Sequence, residues 1–433
     1  MQSKLALSLS AIALLSASSL HAIKFETLGY KSISMGGAAV ASSTGSIATY
    51  NNPALLGKTP YAVEVSMGGG ASEYDHGALA SIQKLDDIGF LDTVDKATQD
   101  FTTLTEPDRA NLIDGTSVII DMDGNAVTIA PQAYIGAQVM GFGFGVFGAS
   151  DTAAVAVVDQ NRTELIFADS SNVLTGYSKI KTDGSIVSSN ATDYNNNSIE
   201  VAINGGTTYL DAKGAALVEV PLAYGHNFET TIGNIMVGGA VKYMHAITYT
   251  ERLKIDDSGE VADDVKKDEE SSSFGVDIGL AYQPSFAYDL TFGLVAKNLN
   301  SPEFDFADGT TYTIDPIVRA GVAYSIFDSL EIAADYDITS NKTLNNAVES
   351  QMLGGGISYE PFTDFFALSL RGGLMQNLHS GDKAGLIYTA GMGVGVKWFQ
   401  IDLSGQMSSN TNTVQDVTVP QYAKVNVALI SRW

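Results

Sequence analysis

Residues 274–283 read Phe-Gly-Val-Asp-Ile-Gly-Leu-Ala-Tyr-Gln. In an extended chain Phe274, Val276, Ile278, Leu280 and Tyr282 share one face, and Gly275, Asp277, Gly279, Ala281 and Gln283 share the other. The same period of two returns in Leu330 to Ile338, where Leu330, Ile332, Ala334, Tyr336 and Ile338 oppose Glu331, Asp335 and Asp337. It returns again in Phe399 to Met407, where Phe399, Ile401, Leu403 and Met407 oppose Gln400, Asp402, Ser404 and Gln406. Such strands serve a soluble sandwich or a transmembrane barrel equally well, so the connections have to decide.

Strands are expected near 61–70, 130–139, 142–157, 214–225, 235–250, 272–283, 287–298, 316–326, 329–339, 351–360, 364–375, 386–397, 398–408 and 422–433, about fourteen, the even number a closed bacterial barrel needs. Links after every second strand are tight: Met140-Gly141, His226 to Asn234, Pro284 to Phe286, Phe327-Asp328, Pro361 to Thr363, and nothing between Lys397 and Trp398. The intervening links, 71–129, 158–213, 251–271, 299–315, 340–350, 376–385 and 409–421, are long. Short turns at one rim and long loops at the other are the habit of outer-membrane barrels, and a sandwich has no reason to adopt it. Aromatic residues collect at the short-turn rim: Tyr224, Tyr282, Phe286, Tyr288, Tyr324, Phe327, Tyr359, Phe362, Phe365, Trp398, Phe399 and Trp433. This is the placement of an interfacial girdle.

The sequence is therefore read as all-β: a transmembrane antiparallel barrel spanning 61–433. A basic group facing lipid near the midplane costs about 2–4 kcal/mol, so the charges within strands are assigned to the lumen. They are Lys242, Asp277, Lys297, Arg319, Glu331, Asp335, Asp337, Arg371, Lys397 and Asp402. The last strand, Tyr422 to Trp433, ends on an aromatic with Val425, Val427 and Leu429 on the same face, and resembles the signal read by barrel-assembly machinery.

Composition agrees. The chain is 45% hydrophobic and 17% charged, yet after the first segment no run holds the ~18 apolar residues of a spanning helix. Residues 1–22 carry Lys4, an apolar stretch from Leu5 to Leu15 and small residues up to Ala22, which is the pattern of a cleaved export signal. A net charge of −25 excludes nucleic acid as a partner. The absence of cysteine excludes disulfides, thiol chemistry and Cys-based zinc sites. The five histidines are scattered without metal-ligand spacing. Asp121-Met122-Asp123-Gly124-Asn125 opens like a calcium loop, but Gln132 stands where a bidentate Glu is required, so it is read as a polar turn. No nucleophile elbow, phosphate loop or dinucleotide fingerprint occurs. The expectation is a protein that is not an enzyme and has neither cofactor nor metal.

Three regions lie outside the barrel pattern. Within the 71–129 link, Leu85, Ile88, Leu91, Val94 and Phe101 fall at helical spacing among acids, which predicts one or two helices capping the loops. The 158–213 link is rich in Ser, Asn, Thr, Gly and Asp and reads as a long polar outer loop, either an extension of strands above the membrane or partly disordered. The run Asp263 to Glu270 reads as a solvated hairpin tip. Ahead of the barrel, residues 23–60 contain Met35-Gly36-Gly37-Ala38 and Asn52-Pro53; such a segment either folds back as a plug or is a periplasmic lead-in.

Gly29 through Leu55, with Met35-Gly36-Gly37-Ala38 and Asn52-Pro53-Ala54-Leu55, resembles the N-terminal hatch of the FadL-like outer-membrane channels. Ala296 to Pro302, Arg319 to Tyr324 and Tyr388 to Gly395 are similar to the cysteine-free, conjugal-transfer TraF-like branch of that superfamily. The resemblance implies a fourteen-stranded barrel with a luminal plug, with Met35, Gly36, Gly37, Asn52 and Pro53 in the plug. It also implies passage of hydrophobic compounds across the outer membrane. The chain departs from the fatty-acid channels in its acidic helical first loop and in lacking a basic-tipped apolar groove. The leading expectation is a passive channel for small hydrophobic compounds, with Gly391, Gly393 and Gly395 leaving space beside the plug. A docking component of an export or transfer apparatus, and a surface receptor acting through 158–213, are the alternatives.

Overall fold

The computed structural model describes residues 27–255, 267–287, 289–306, 309–327, 329–341, 349–361, 366–379, 382–414 and 417–433. The expected export signal at 1–22, the first half of the 263–270 charge run, and Tyr288, Phe362 and Phe365 of the expected girdle lie outside those residues.

Fourteen antiparallel strands close into one barrel. They are β1 (Val63–Asp75), β2 (Ala126–Val139), β3 (Phe142–Val157), β4 (Tyr209–Thr230), β5 (Gly233–Lys254), β6 (Lys267–Pro284), β7 (Leu290–Lys297), β8 (Ile317–Phe327), β9 (Leu330–Asp337), β10 (Met352–Tyr359), β11 (Phe366–Asn377), β12 (Leu386–Val396), β13 (Phe399–Ser408) and β14 (Tyr422–Arg432). Strand β14 pairs with β1 from Glu64↔Arg432 to Tyr74↔Tyr422 and removes the last open edge. A chain in hydrocarbon must satisfy every backbone group internally, and closure does this. The outward face is correspondingly apolar: Phe274, Ile278, Leu280, Leu403 and Val427 are each exposed by 43% or more.

The wall is uneven. Strands β1 to β6 run 13 to 22 residues, whereas β7 to β14 run 8 to 12. About 9–11 residues cross a bilayer, so β4 and β5 rise far beyond it on the long-loop side. The expected strands were too short here. The link placed at His226 to Asn234 is strand as far as Thr230, and strand pairing resumes at Gly233. The first strand continues to Asp75 instead of ending near residue 70.

The tall wall carries a folded cap. Helices α1 (Ala78–Asp87), α2 (Phe90–Gln99) and α3 (Glu106–Asp121) fill the first long loop. Residues 158–208 are folded, and of the two expectations strand above the membrane is nearer than disorder. They form a three-stranded sheet, Leu165–Ala168, Tyr177–Ile180 and Ile186–Ser188, followed by helices Ala191–Asn197 and Ile199–Asn204. Sparse apolar residues from both segments meet in one core: Phe90, Leu112 and Ile119 pack with Leu165, Phe167, Ile180, Ile199 and Ile203, and with Leu210 and Leu253 of the tall strands. Gly115 interrupts α3 at a cost of about 1 kcal/mol relative to Ala, because an added Cβ would overlap the Phe90 ring. Hydrogen bonds from Ser171 and Ser178 hold the Asp169 carboxylate below the usual range although burial opposes its charge.

Candidate functional site: the plug and its seat

Residues 27–60 enter the barrel and are buried almost throughout. The segment is made of short turns: helix Tyr30–Ser34, a 3-10 turn Gly45–Ile47, helix Ala48–Asn51 and a 3-10 turn Pro53–Lys58. Helices this short are not stable alone; packing and side-chain hydrogen bonds from the wall hold them.

The wall meets the plug backbone closely because its inward positions are glycines. An added Cβ on Gly238 would fall on Pro53, one on Gly293 on Val40, and one on Gly356 or Gly373 on Met35. Gly36 itself has φ +66 and lies against the backbone of Gly355 and Leu374. The expectation that glycines leave free space is corrected at this point. Gly391 is filled by Ser34, Gly393 by the Gln400 and Asp402 side chains, and Gly395 lies against the Phe399 and Gln400 backbone.

Polar wall side chains then satisfy plug backbone groups. Ala39 and Val40 both donate their N–H to Asp335 Oδ2, at 2.8 and 2.9 Å. Gly36 N–H donates to Thr389 Oγ1 at 2.9 Å, and that hydroxyl donates to Ser34 O at 3.0 Å. Gln406 Nε2 donates to Ile33 O at 2.9 Å. Asn52 Nδ2 donates to Val40 O at 2.7 Å and to Leu280 O at 3.2 Å, while its Oδ1 accepts from Ala54 N–H at 3.1 Å. These bonds explain the Asn-Pro pair: Asn52 caps the turn that Pro53 starts.

Around the plug the charges are paired. Lys242 lies 3.2 Å from both Glu219 and Asp277. Arg319 pairs with Asp337, at 2.5 Å through Nε and 3.0 Å through Nη2. Arg371 reaches Asp402 at 2.7 Å and Glu360 at 3.2 Å. Lys31 of the plug meets Glu331 at 2.9 Å. Lys297 sits 3.3 Å over the ring centroid of Tyr50, a plug aromatic that stacks on Phe147 at 5.3 Å. Nine of the ten charges assigned to the lumen thus face inward. Lys397 does not. Strand β12 ends at Val396, which leaves Lys397 exposed in the turn, 6.0 Å over the Trp398 ring.

Sequence reasoning missed Glu64, Arg432, Glu219, Glu360 and Lys31. Arg432 bridges Glu64 at 2.9 Å and the Tyr30 hydroxyl at 2.6 Å, and Glu64 accepts from Ser46 N–H at 2.9 Å. The inward parity of β1 and β14 was enough to place Glu64 and Arg432. No one-dimensional signal joins Lys31 to Glu331.

Above the plug two apolar clusters lie among buried polar residues such as Gln132, Asp151 and Thr248. The hairpin Glu303–Asp305 and Thr311–Thr313 turns onto the tall wall, where Phe304 and Ile314 pack with Ala149, Leu217, Met244 and Ala246. Opposite it, Met375, Ala384 and Ile387 pack with Tyr74 and Tyr422. Among the described residues no cluster of His, Asp or Glu has the geometry of a metal site.

These features define a fourteen-stranded transmembrane β-barrel with residues 27–60 buried inside it. The chain belongs to the family described as F plasmid transfer operon, TraF, protein, whose profile matches residues 49–337. No curated protein matches it. Solved structures similar to it include the Ralstonia pickettii toluene transporter TbuX, at 14% identity over 95% of this chain and 100% of that one, TM-score 0.47. Others are the P. putida toluene transporter TodX, at 12% over 95% and 99%, TM-score 0.46, and a Pseudomonas aeruginosa FadL homologue, at 11% over 96% and 99%, TM-score 0.45.

Proposed function

We propose that the protein is a passive channel for small hydrophobic compounds, set in the outer membrane after export and shut at rest by its own N-terminal segment. One observation carries this reading: residues 27–60 occupy the barrel interior and are held there by non-covalent contacts alone. A barrel that needed only to be a solid peg could fill its lumen with wall side chains; a separate segment seated on glycines can leave. The apolar side chains packed above the plug, Phe304, Met244, Met375 and Ile387, are compatible with a solute of little charge once the interior opens. The buried carboxylates around the seat disfavour an anionic one. Lys242, Arg319, Arg371 and their partners would hold the plug's surroundings rather than bind solute.

The test is uptake of a neutral aromatic hydrocarbon into vesicles carrying the intact protein or one lacking residues 23–60. Faster uptake through the deleted form is expected. Unchanged uptake, with the barrel correctly inserted, would remove the plug's role.

A second reading, a docking component of an envelope apparatus, is favoured by the cap, whose own core joins two loops into a folded platform. Mass spectrometry of the protein extracted in mild detergent separates the two. A stoichiometric envelope protein supports docking, and a stoichiometric apolar small molecule supports the channel. We also infer that the final strand, with Trp433 exposed at its end, addresses the barrel-assembly machinery; deleting Trp433 should lower the inserted yield.

A further inference from the structure

We propose that Val173 and Leu174 form the docking tip of the cap, and that its occupant is a second protein offering an apolar pocket rimmed by Lys and Arg. The inference rests on the docking reading and gives it a surface and a partner chemistry.

The place of the cap follows from strand parity. Successive side chains of a strand alternate between faces. The registers of β2 with β3, β3 with β4 and β4 with β5 each keep one offset from end to end. Tyr134, Phe147, Leu217 and Met244 point into the barrel, where they meet the plug or the 303–313 hairpin. Wall residues in the cap core include Val127, Ala154, Ala156, Leu210, Ala212 and Leu253. Each stands an odd number of positions from the inward residue of its own strand, so the cap packs on the outer face of the tall wall. The lumen side of the same strands takes the hairpin instead. A tip on the cap therefore belongs to the outer surface of the barrel and not to the solute path.

Within the cap, the turn 169–176 joins strands Leu165–Ala168 and Tyr177–Ile180. Val173 and Leu174 are 90% and 89% exposed, more than any other described large hydrophobic residue. The backbone around them is fixed. Asp169 N–H donates to Gly176 O at 2.9 Å, and Gly176 N–H donates to Asn172 O at 2.8 Å. Asp169 Oδ1 accepts from the Ser171 N–H and hydroxyl, and its Oδ2 accepts from the Ser178 hydroxyl. Asn172 Nδ2 donates to Tyr177 O at 2.6 Å and to Ser188 Oγ at 3.0 Å, which ties the turn to the third strand of the sheet. Gly176, at φ +75, supplies the left-handed residue the turn needs. Ile186, on the same face of its strand as Ser188, is also exposed and widens the patch. A turn held this way is already ordered, so a partner gains the burial of two aliphatic side chains without paying to order their backbone.

Adjacent aliphatic residues held out in water mark a contact surface, and the surrounding charge selects the contact. Residues 76–125 and 158–208 hold sixteen Asp and Glu against six Lys and Arg, a net charge of −10. An anionic membrane surface repels such a body, whereas a protein with Lys and Arg around its pocket is steered to it. A second copy of the chain would bring the same negative charge and is disfavoured on the same ground.

The test places the photoreactive residue p-benzoylphenylalanine at position 173 of the full chain, in its own cells, and irradiates the cells intact. The same residue at position 182, exposed at the opposite end of the sheet, is the control. The expected result is one cross-linked polypeptide at 173 and none at 182, joined through a peptide in which apolar residues are flanked by Lys or Arg. Its yield should fall about tenfold with Leu174→Ser and fall again as salt is raised. Leu174 is almost wholly exposed, so that substitution leaves the cap folded. Cross-links to lipid alone, to a second copy of the chain, or equally at both positions overturn the proposal. So does no cross-link, or a yield that Leu174→Ser leaves unchanged. An envelope protein that co-purifies in mild detergent without cross-linking at 173 overturns the tip and leaves the docking reading standing.

Discussion

The tall wall and the low wall of this barrel solve opposite problems. Strands β1 to β6 rise beyond the membrane and bury apolar side chains against a cap and an anchored turn, so their interior contacts are those of a soluble protein core. Strands β7 to β14 stay within the membrane's thickness and turn glycines, hydroxyls and paired charges inward. Apolar burial contributes roughly 25 cal/mol per Å² and needs no particular partner atom. Buried ion pairs contribute little net stability, but losing one partner is severe. The tall wall is therefore where stability accumulates. The low wall has no cap to pack against, though paired charges are not confined to it, since Lys242, Glu219 and Asp277 of β4 to β6 form one such group.

The sharpest way to break this comparison is at the cap core. Phe90 is fully buried, packed over Gly115 and against the core formed with Leu165 and Phe167. Phe90→Ala should cost about 3–5 kcal/mol, the range for a large aromatic removed from a tight site. The loss should stay local. Limited proteolysis is expected to cut within 76–125 while the barrel keeps its folded mobility on a gel. A barrel that unfolds together with the cap would show that the two walls share one cooperative unit.

The low wall gives the next effect. Arg371 is paired with buried Asp402 and with the more open Glu360. Arg371→Ala should cost about 3 kcal/mol, toward the lower end for a broken buried pair because Glu360 can turn to water. Removing both charges, as Arg371→Met with Asp402→Leu, should restore most of that loss. Urea-dependent unfolding in lipid measures both. If the double variant is as damaged as the single one, the pair is an energetic support and the contrast between the walls is smaller than drawn.

Strand parity was legible in the sequence because lipid outside and a narrow lumen inside impose opposite demands on alternate residues. That rule put Asp277, Asp335, Asp337 and Asp402 on the inner side, and all four are buried there. It failed for Lys397, where the strand ends and the parity rule with it. The alternation of long and short links was equally plain. What the plug touches was not: Gly36 and Thr389 stand 353 residues apart, and no local pattern encodes such a contact. The cap sheet was hidden for a different reason. Leu165, Phe167, Ile180, Ile199 and Ile203 are too sparse among Ser and Asn to signal a core, and they make one only by adding to helices from another loop. The glycines were read as space when they are seats, because a missing side chain looks the same in a sequence whichever way it is used.

The smallest expected effect separates the walls by pH. Helix α3 starts with a capping box: Asp108 N–H donates to Thr105 Oγ1 at 3.4 Å, and Thr105 N–H donates to Asp108 Oδ2 at 2.7 Å. The Lys96 ammonium of α2, 2.6 Å away, and those Thr105 bonds hold the Asp108 carboxyl down at about 2, against an ordinary value of 3.8. A depressed carboxyl contributes stability that is complete above its unfolded value and is lost as pH falls through that value towards the folded one. Cap stability should therefore be flat down to about pH 4 and decline between about pH 4 and pH 2. Asp108→Asn should flatten that decline. Thr105→Ala should cost about 1 kcal/mol at neutral pH through the lost cap. Both changes should appear in proteolysis of the cap and leave the barrel's gel mobility unchanged. A decline that persists in full with Asp108→Asn would move the acid sensitivity elsewhere, to carboxylates such as Asp169 whose hydrogen bonds also depend on charge.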